Sequence, residues 1–213
     1  MQSLLAVKRI CDVLFSFILL LLLLPVFGII SIMIKLDSKG PVLFTQERAG
    51  LYGKPFKIFK FRTMVVDAEN AGTGFYTSKN DSRITAVGKL LRDWSLDELP
   101  QLFNILKGDM SIIGPRPTLM YQVDEYDEEQ RKRLNMKPGV TGWAQVNGRN
   151  LLSWPERIKL DIWYVENWTL LLDLKILFRT FAVILKREGV YAESDKFVIK
   201  NRDHLFNKND VDM

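Results

Sequence analysis

The sequence predicts a mainly helical α+β protein in which an N-terminal membrane anchor precedes a small domain. Three observations lead to this fold class. The run Val13–Ile34 contains no charged side chain, and about 20 apolar residues suffice for a membrane helix. Two short extended segments follow this run. Most of the later chain has the apolar spacing of helices.

The length of the chain limits the number of domains, and its net charge limits the classes of partner. A chain of 213 residues can bury one sizeable core. We predict an anchor over residues 1–38, one domain with interfacial helices over residues 39–190 and a polar tail over residues 191–213. The net charge of +5 suits nucleic acid, anionic lipid or a phosphorylated substrate. The apolar run favours the last two.

The sequence of the anchor does not decide whether the helix crosses the membrane or turns back within it. It has basic residues on both sides: Lys8, Arg9, Lys35 and Lys39. No small-residue cleavage pattern follows the apolar run, so we expect a retained anchor rather than a signal peptide. Pro25 removes one helical hydrogen bond and predicts a kink after Leu24. Basic flanks at both ends assign no direction by the positive-inside rule. A kinked single span and a re-entrant hairpin are both compatible with this pattern.

The segments after the anchor have a weaker strand pattern. Val42–Gln46 and Phe56–Arg62 are predicted to be short strands, because glycine and proline residues separate them. Asn70–Arg83 is polar and contains two glycines, which is typical of a loop. Such a loop could border a substrate pocket.

Helical spacing recurs in four later stretches: Ile84–Arg92, Leu96–Leu106, Tyr121–Leu134 and Trp168–Arg187. The third stretch carries an acidic run, which we interpret as a solvated face. The fourth is too charged to cross hydrocarbon at low cost, but it suits a buried or membrane-surface helix.

Several kinds of catalytic site are excluded by composition. Cys11 is the only cysteine and His204 the only histidine. A disulfide within the chain and a cysteine cluster for zinc are therefore excluded. A single histidine, placed in the tail stretch, leaves no conventional Ser/His/Asp or Cys/His system. Asp210 and Asp212 form a D-x-D pattern in the polar tail, where such pairs are usually disordered. We expect a carboxylate elsewhere to supply the acid, base or nucleophile.

The densest candidate is the stretch from Arg92 to Gln101, where Asp97 and Glu98 adjoin. Ser95 and Glu98 also fit a capping box, which is a purely structural alternative. The two interpretations are compatible, because a helix N-terminus favours a carboxylate or a phosphate. Adjacent helical side chains diverge by about 100°, so Asp97 and Glu98 should have different roles.

Two further candidates are basic residues in turn-forming segments. Arg116 lies between two prolines, which could hold its guanidinium ready for a phosphate or could simply form a rigid turn. In Lys137–Asn150, three glycines permit close backbone approach, while Lys137, Gln145 and Arg149 offer donors. That stretch also fits an ordinary loop.

An ordered set of motifs resembles the bacterial sugar transferase family, the monotopic phosphoglycosyl transferases. The set consists of the apolar run with Pro25, Lys60–Met64, Ser95–Gln101, Gly114–Pro117 and Pro138–Gly142. The resemblance covers the chain from Lys8 to about Gly189. One departure is visible at the kink, where family members often have Ser-Pro and this chain has Leu24-Pro25.

The resemblance implies a site and a location. It implies a re-entrant helix-break-helix anchor, with a catalytic domain on the cytosolic face of the bacterial inner membrane. Magnesium and a catalytic acidic pair are implied, and the pair matches Asp97 and Glu98, which would also hold the metal. Arg92 and Arg116 match basic positions of the family. Lys137 and Arg149 complete our set of phosphate-binding candidates.

The implied reaction moves a sugar 1-phosphate from a UDP-sugar to polyprenyl (undecaprenyl) phosphate, releases UMP and proceeds through a phosphosugar bound covalently to Asp97. N-acetylated amino sugars are expected over hexoses, because minimal family members often use them. Membrane lipid and downstream glycosyltransferases are candidate partners. The alternative is an anchored adaptor of a polysaccharide assembly without catalysis. No nucleic-acid partner is expected, because zinc-finger spacing and RNA-binding aromatic motifs are missing.

Overall fold

The computed structural model describes residues 2–68 and 81–186. The helices are α1 (Gln2–Asp37), α2 (Ala86–Asp93), α3 (Gln101–Lys107), α4 (Met120–Asp124), α5 (Glu128–Arg131), α6 (Trp143–Val146), α7 (Trp154–Glu166) and α8 (Leu170–Lys186). The strands are β1 (Leu43–Ala49), β2 (Pro55–Phe61), β3 (Ser111–Ile113) and β4 (Gly139–Thr141). The mainly helical α+β class is confirmed. Most of the predicted 70–83 loop and the whole predicted tail lie outside the described residues.

Helix α1 continues through Pro25 without interruption. The predicted break between two helices is therefore not present in the secondary structure. A proline removes one backbone bond and clashes with one carbonyl, which bends a helix without necessarily ending it. Contacts on both sides of the proline support the helix here, since Leu23 packs against α3 and Phe27 packs against Phe61 and Phe103.

The apolar middle of α1 is mostly exposed, while its polar ends are bound to the domain. Only 11% of its most apolar 18-residue stretch is buried, whereas a core helix would be mostly buried. By length and composition, α1 could cross a membrane. Near its start, Lys8 binds Asp173 of α8 at 2.6 Å, and Arg9 donates to the Ile105 carbonyl at 2.6 Å. At its end, Asp37 accepts a hydrogen bond from the Val87 amide of α2 at 3.0 Å.

The four strands form two small sheets. β1 and β2 pair antiparallel, from Leu43 opposite Phe61 to Ala49 opposite Pro55. This hairpin confirms the two strands predicted from sequence, with slightly shifted bounds. β3 and β4 pair in parallel, and they are too short to show a period-2 pattern in the sequence.

Two helices predicted as continuous are broken in the structure. Leu96–Leu106 becomes a 3₁₀ turn, Leu96–Glu98, followed by α3. Tyr121–Leu134 becomes α4, α5 and a 3₁₀ turn. Asp127 causes this second break, because its carboxylate caps the Gln130 amide at 2.7 Å and starts a new helix. The acidic run here is exposed, as predicted.

Helix α8 has apolar side chains on two faces. Ile176 is fully buried, and Asp173 beside it is 7% exposed. The opposite face exposes a stripe of large apolar residues: Leu171, Leu174, Phe178, Phe181 and Leu185. A monomeric soluble protein seldom exposes such a contiguous stripe. Helices α1 and α8 carry most of the exposed large apolar side chains of the described residues.

The core that positions the site is shared between α1 and the domain. Ile30 and Ile34 of α1 pack with Phe61 at the end of β2 and with Leu91 of α2. Asn104 of α3 accepts from the Phe59 amide at 3.0 Å and donates to the Lys57 carbonyl at 2.7 Å. β2 is therefore held on one side by α1 and on the other by α3.

Candidate active site

Glu98 forms the centre of a charged cluster. Its Oε1 atom accepts from Lys60 Nζ at 2.9 Å and from Arg116 Nη2 at 2.8 Å. The Glu98 side chain is 12% exposed. Burial raises the pKa of Glu98, but the positive charges of Arg116 and Lys60 and their hydrogen bonds outweigh burial and hold the pKa well below its ordinary value. Glu98 is therefore an ionised and neutralised carboxylate.

Asp97 has a different environment, although it is the next residue. It is half-buried, and none of the described residues forms a hydrogen bond or ion pair with its carboxylate. Burial raises the pKa of Asp97, and the charge of Glu98 acts in the same direction. The charges of Lys60, Arg92 and Arg116 act against both effects. The two adjacent carboxylates thus differ in their pairing.

The capping box proposed as a structural alternative is not formed. Ser95 has a left-handed backbone with φ of 56°, and its side chain makes no cap hydrogen bond. Its hydroxyl instead accepts from Arg149 Nη2 at 3.1 Å. Glu98 is directed to Lys60 and Arg116 rather than to the Ser95 amide. Non-glycine residues in this backbone region are strained and cluster at functional sites; Arg149 has the same property, with φ of 51°.

Three of the four predicted phosphate-binding residues lie at this cluster. Arg116 contacts Glu98 directly, and its side chain keeps 43% exposure, so it remains open to a ligand. Arg149 reaches the cluster through Ser95. Arg92 donates from Nε to Thr63 Oγ1 at 2.8 Å, and its charge lowers the pKa of Asp97.

The fourth predicted residue, Lys137, lies in other surroundings. Burial lowers the pKa of Lys137, and the neighbouring charge of Arg9 acts in the same direction. The carboxylates that act on it are Asp12 and Asp109, not Asp97 or Glu98. Lys137 comes twelve residues before Arg149 in the predicted loop, but strand β4 separates the two. Lys137 therefore lies outside the charged cluster around Glu98.

Sequence reasoning did not assign Lys60 to the site. Lys60 lies near the end of β2 and binds Glu98. Burial lowers the pKa of Lys60, while the charge of Glu98 opposes this effect. The signal that could have found it was the motif Lys60–Met64, which was singled out for its resemblance but not for chemistry.

The arrangement fits a divalent cation at Asp97 better than at Glu98. In the described part of the chain, no group of three or more His, Cys, Asp or Glu residues could hold a metal. Magnesium commonly binds one or two carboxylates together with substrate phosphates and water. Asp97 supplies a half-buried, unpaired carboxylate of this kind. Glu98 is already neutralised by two cations, so it has less need of a third.

The chemistry open to the cluster follows from these environments. An unpaired carboxylate beside several cations can attack an electrophile that itself carries negative charge. Phosphate groups have that property. The cluster is thus suited to reactions at phosphorus.

Comparison with known proteins supports this chemistry. A family model described as bacterial sugar transferase matches residues 3–187. An uncharacterised sugar transferase of Bacillus subtilis, EpsL, is 49% identical over 157 residues, which are 74% of this chain and 76% of EpsL.

Two named transferases are also similar. An undecaprenyl-phosphate galactose phosphotransferase of Salmonella typhimurium is 40% identical over 198 residues, 86% of this chain and 41% of that protein. A UDP-glucose:undecaprenyl-phosphate glucose-1-phosphate transferase of Klebsiella pneumoniae is 44% identical over 181 residues, 81% of this chain and 39% of that protein. The chain therefore spans about two fifths of these two relatives.

The pairing of Glu98 predicts a pH-dependent stability. Its pKa is lower in the folded chain than its ordinary value of 4.5. The stabilisation is therefore complete above that value and is lost as the pH falls below it. We expect Glu98→Gln to lower the free energy of unfolding by about 2 kcal/mol at pH 7. The difference from the wild type should shrink below about pH 4, as measured by denaturant unfolding across this range.

Glu129→Gln is the matched control. Glu129 is exposed and pairs with Lys132 on the surface, where an ion pair contributes little. A pH-independent difference between wild type and Glu98→Gln would contradict the assigned ionisation of Glu98.

Proposed function

The chain belongs to the bacterial sugar transferase family, and we propose that it transfers a sugar 1-phosphate from a UDP-sugar to undecaprenyl phosphate and releases UMP. The single observation that carries the proposal is the unequal pairing of adjacent carboxylates, with Glu98 neutralised by Lys60 and Arg116 and Asp97 left unpaired. The names of the Salmonella and Klebsiella relatives support the same substrate classes.

The reaction proceeds in two displacements. A carboxylate oxygen of Asp97 attacks the phosphorus linked to the sugar, and the bond to the bridging oxygen breaks, so that UMP leaves with the electron pair. The phosphosugar is then an acyl phosphate on Asp97. An oxygen of undecaprenyl phosphate attacks the same phosphorus, forms the diphosphate and returns the electron pair to the carboxylate. A covalent relay divides one difficult step between a water-soluble donor and a lipid acceptor into two easier steps.

Charge neutralisation by the chain makes both attacks feasible. The donor, the acceptor and Asp97 are all anionic, so their approach requires positive charge. Arg116 and Arg149 are placed to bind the phosphates of the donor, and Arg92 adds charge at the same cluster. Glu98 holds Arg116 and Lys60 in place and does not compete as the nucleophile, because its oxygen is bound by two cations. Magnesium at Asp97 would supply further charge on the phosphate oxygens.

We further propose that α1, although helical on both sides of Pro25, bends at this proline so that it enters the membrane from one side and returns. Lys8 and Arg9 near its start and Asp37 at its end all bind the same domain. A straight helix of this length would extend about 54 Å, well beyond a hydrocarbon core of about 30 Å. The ends would then lie on opposite sides of the bilayer, which a shared domain on the cytosolic face does not permit. The exposed stripe of α8 would lie at the same membrane surface.

The sugar is proposed only as a class. An N-acetylated amino sugar remains our expectation from the sequence, whereas the names of the two relatives specify galactose and glucose. A panel of UDP-sugars should therefore include UDP-glucose and UDP-galactose beside the N-acetylated forms. Magnesium-dependent UMP release by the purified chain in nanodiscs tests the whole proposal, and its absence with every donor would favour the non-catalytic adaptor.

The nucleophile assignment predicts the effect of Asp97→Asn. The amide keeps the size of the side chain but loses the negative charge, so UMP release and capture of a covalent phosphosugar should both be abolished. Radiolabelled donor and intact-protein mass spectrometry measure the captured group. Asp124→Asn makes the same change at an exposed aspartate and should leave both signals unchanged. Wild-type turnover by Asp97→Asn would refute the assignment.

A second prediction concerns Arg116, the arginine between the two prolines. Arg116→Lys keeps the charge but loses the planar fork that binds carboxylate and phosphate together. We expect kcat/KM to fall about 10- to 100-fold. Arg131→Lys, at an exposed arginine of α5, is the matched control. Unchanged kinetics for Arg116→Lys would mean that this segment is only a structural turn.

The topology of α1 predicts the accessibility of its first residues. A cysteine introduced by Gln2→Cys in a Cys11→Ser background should resist an impermeant maleimide in intact cells and react after permeabilisation. The reason is that nucleotide sugars are made in the cytosol, so the domain and both bound ends of α1 lie there.

Asp124→Cys in the same background provides the cytosolic control, since Asp124 is exposed on the domain. Labelling at position 2 in intact cells, with position 124 silent, would establish a complete span and exclude the re-entrant arrangement.

A further inference from the structure

The segment that carries Arg116 is irregular but firmly held. It connects β3 to α4, and its prolines restrict the backbone only at their own positions. Four successive carbonyls bind donors from other parts of the chain. Pro115 O accepts from Gly139 N at 2.9 Å, Arg116 O from Arg133 Nη2 at 3.1 Å, Pro117 O from Arg48 Nη1 at 3.4 Å and Thr118 O from Ala49 N at 2.9 Å.

Arg133 differs from the other donors because it is a buried charge. Its side chain is 2% exposed and forms an ion pair with Asp161, which is 1% exposed. Its Nη1 donates to the Tyr126 hydroxyl, and its guanidinium lies 5.3 Å from the centre of the Trp154 ring. Arg133 thus binds a carboxylate, a hydroxyl and the Arg116 carbonyl at once.

A buried charge cluster of this kind contributes little net folding stability. The desolvation free energy of two buried charges offsets their electrostatic attraction. Well-packed apolar residues at such positions often give the same folding stability. The property that an apolar residue lacks is directional donation. A guanidinium can donate from both terminal nitrogens in a fixed plane, and Asp161 sets the orientation of that plane.

We propose that Arg133 is a positioning residue that places the Arg116 guanidinium over the reacting phosphates. This inference rests on the proposed function. Asp161 orients Arg133, Arg133 holds the carbonyl of Arg116, and Arg116 reaches Glu98 from that backbone position. Arg133 does not touch substrate, since its side chain is enclosed.

The position of Arg116 depends on its backbone contacts, and the bond from Arg133 is the one made to its own carbonyl. The Arg116 side chain is 43% exposed and has its ion pair with Glu98 at its far end. Its backbone must therefore be fixed from the other side. A displacement of about 1 Å in a group that binds reacting atoms can reduce the rate about 100-fold.

Arg133→Lys tests this chain of contacts. Nη2 of Arg133 donates both to Asp161 and to the Arg116 carbonyl. A lysine side chain is shorter, and its freely rotating ammonium lacks the fixed plane that sets these two directions. We expect kcat/KM for the UDP-sugar to fall about 10- to 100-fold, while thermal unfolding stays cooperative. Tyr126→Phe is the matched control, because it removes the partner of the other terminal nitrogen and a bond to the Thr118 hydroxyl but leaves the bond to the Arg116 carbonyl. It should keep the wild-type kcat/KM.

A double variant separates positioning from general damage. If Arg133 acts through Arg116, then Arg133→Lys combined with Arg116→Lys should lose no more kcat/KM than Arg116→Lys alone. Losses that multiply would overturn the inference. If Arg133→Lys fails to fold, Arg133→Met with Asp161→Asn removes both buried charges, and this pair should fold with the same catalytic loss.

The outcomes distinguish the inference from the function on which it rests. Active wild type with an unimpaired Arg133→Lys variant would overturn the positioning role and leave the proposed function intact. Wild type that releases no UMP from any donor would overturn both.

Discussion

A single oxygen atom, Oε1 of Glu98, organises the charged cluster. It joins Lys60 from the end of β2 to Arg116 from the segment after β3. Without these two cations, two adjacent carboxylates would repel each other and one would bind a proton. Because Glu98 is neutralised, Asp97 can stay without an ion pair in a region where several positive charges remain. The proposed division between a structural glutamate and a nucleophilic aspartate follows from that pairing.

The membrane helix belongs to the same structure as the site. Phe61, next to Lys60, packs between Ile30, Ile34 and the Phe27 ring of α1. Lys8 at the other end of α1 binds Asp173, which also accepts from the Tyr164 hydroxyl at 2.6 Å. Removal of α1 would therefore expose the apolar side of β2 and leave a buried carboxylate without its cation. An anchor that contributes to the core in this way can hold the reacting groups at a fixed depth relative to the bilayer.

Composition and short-range spacing predicted the elements that depend on residues close together in the sequence. The charge-free run, the β1–β2 hairpin and the helix around Leu91 came from composition and spacing, and the structure confirms them. The errors occur where a short-range signal competes with a more distant contact. Ser95 and Glu98 have the spacing of a capping box, but Lys60 and Arg116 bind the glutamate more strongly than a backbone amide could, because charge-assisted bonds are about twice as strong. Asp127 is the opposite case, in which a genuine cap divided a helix that periodicity had predicted as continuous.

The sequence by itself determined the chemical inventory: one cysteine, one histidine, an adjacent acidic pair and an arginine between two prolines. It also determined the family, because an ordered set of motifs is specific even where each motif is weak. Only the tertiary structure decided which basic residues join the acidic pair. Lys60 and Arg116 are far from Glu98 in sequence, and Lys137 lies closer to Arg149 along the chain than either does to Glu98. Electrostatic interaction depends on distance in space and on burial, and neither quantity is contained in the order of residues along the chain.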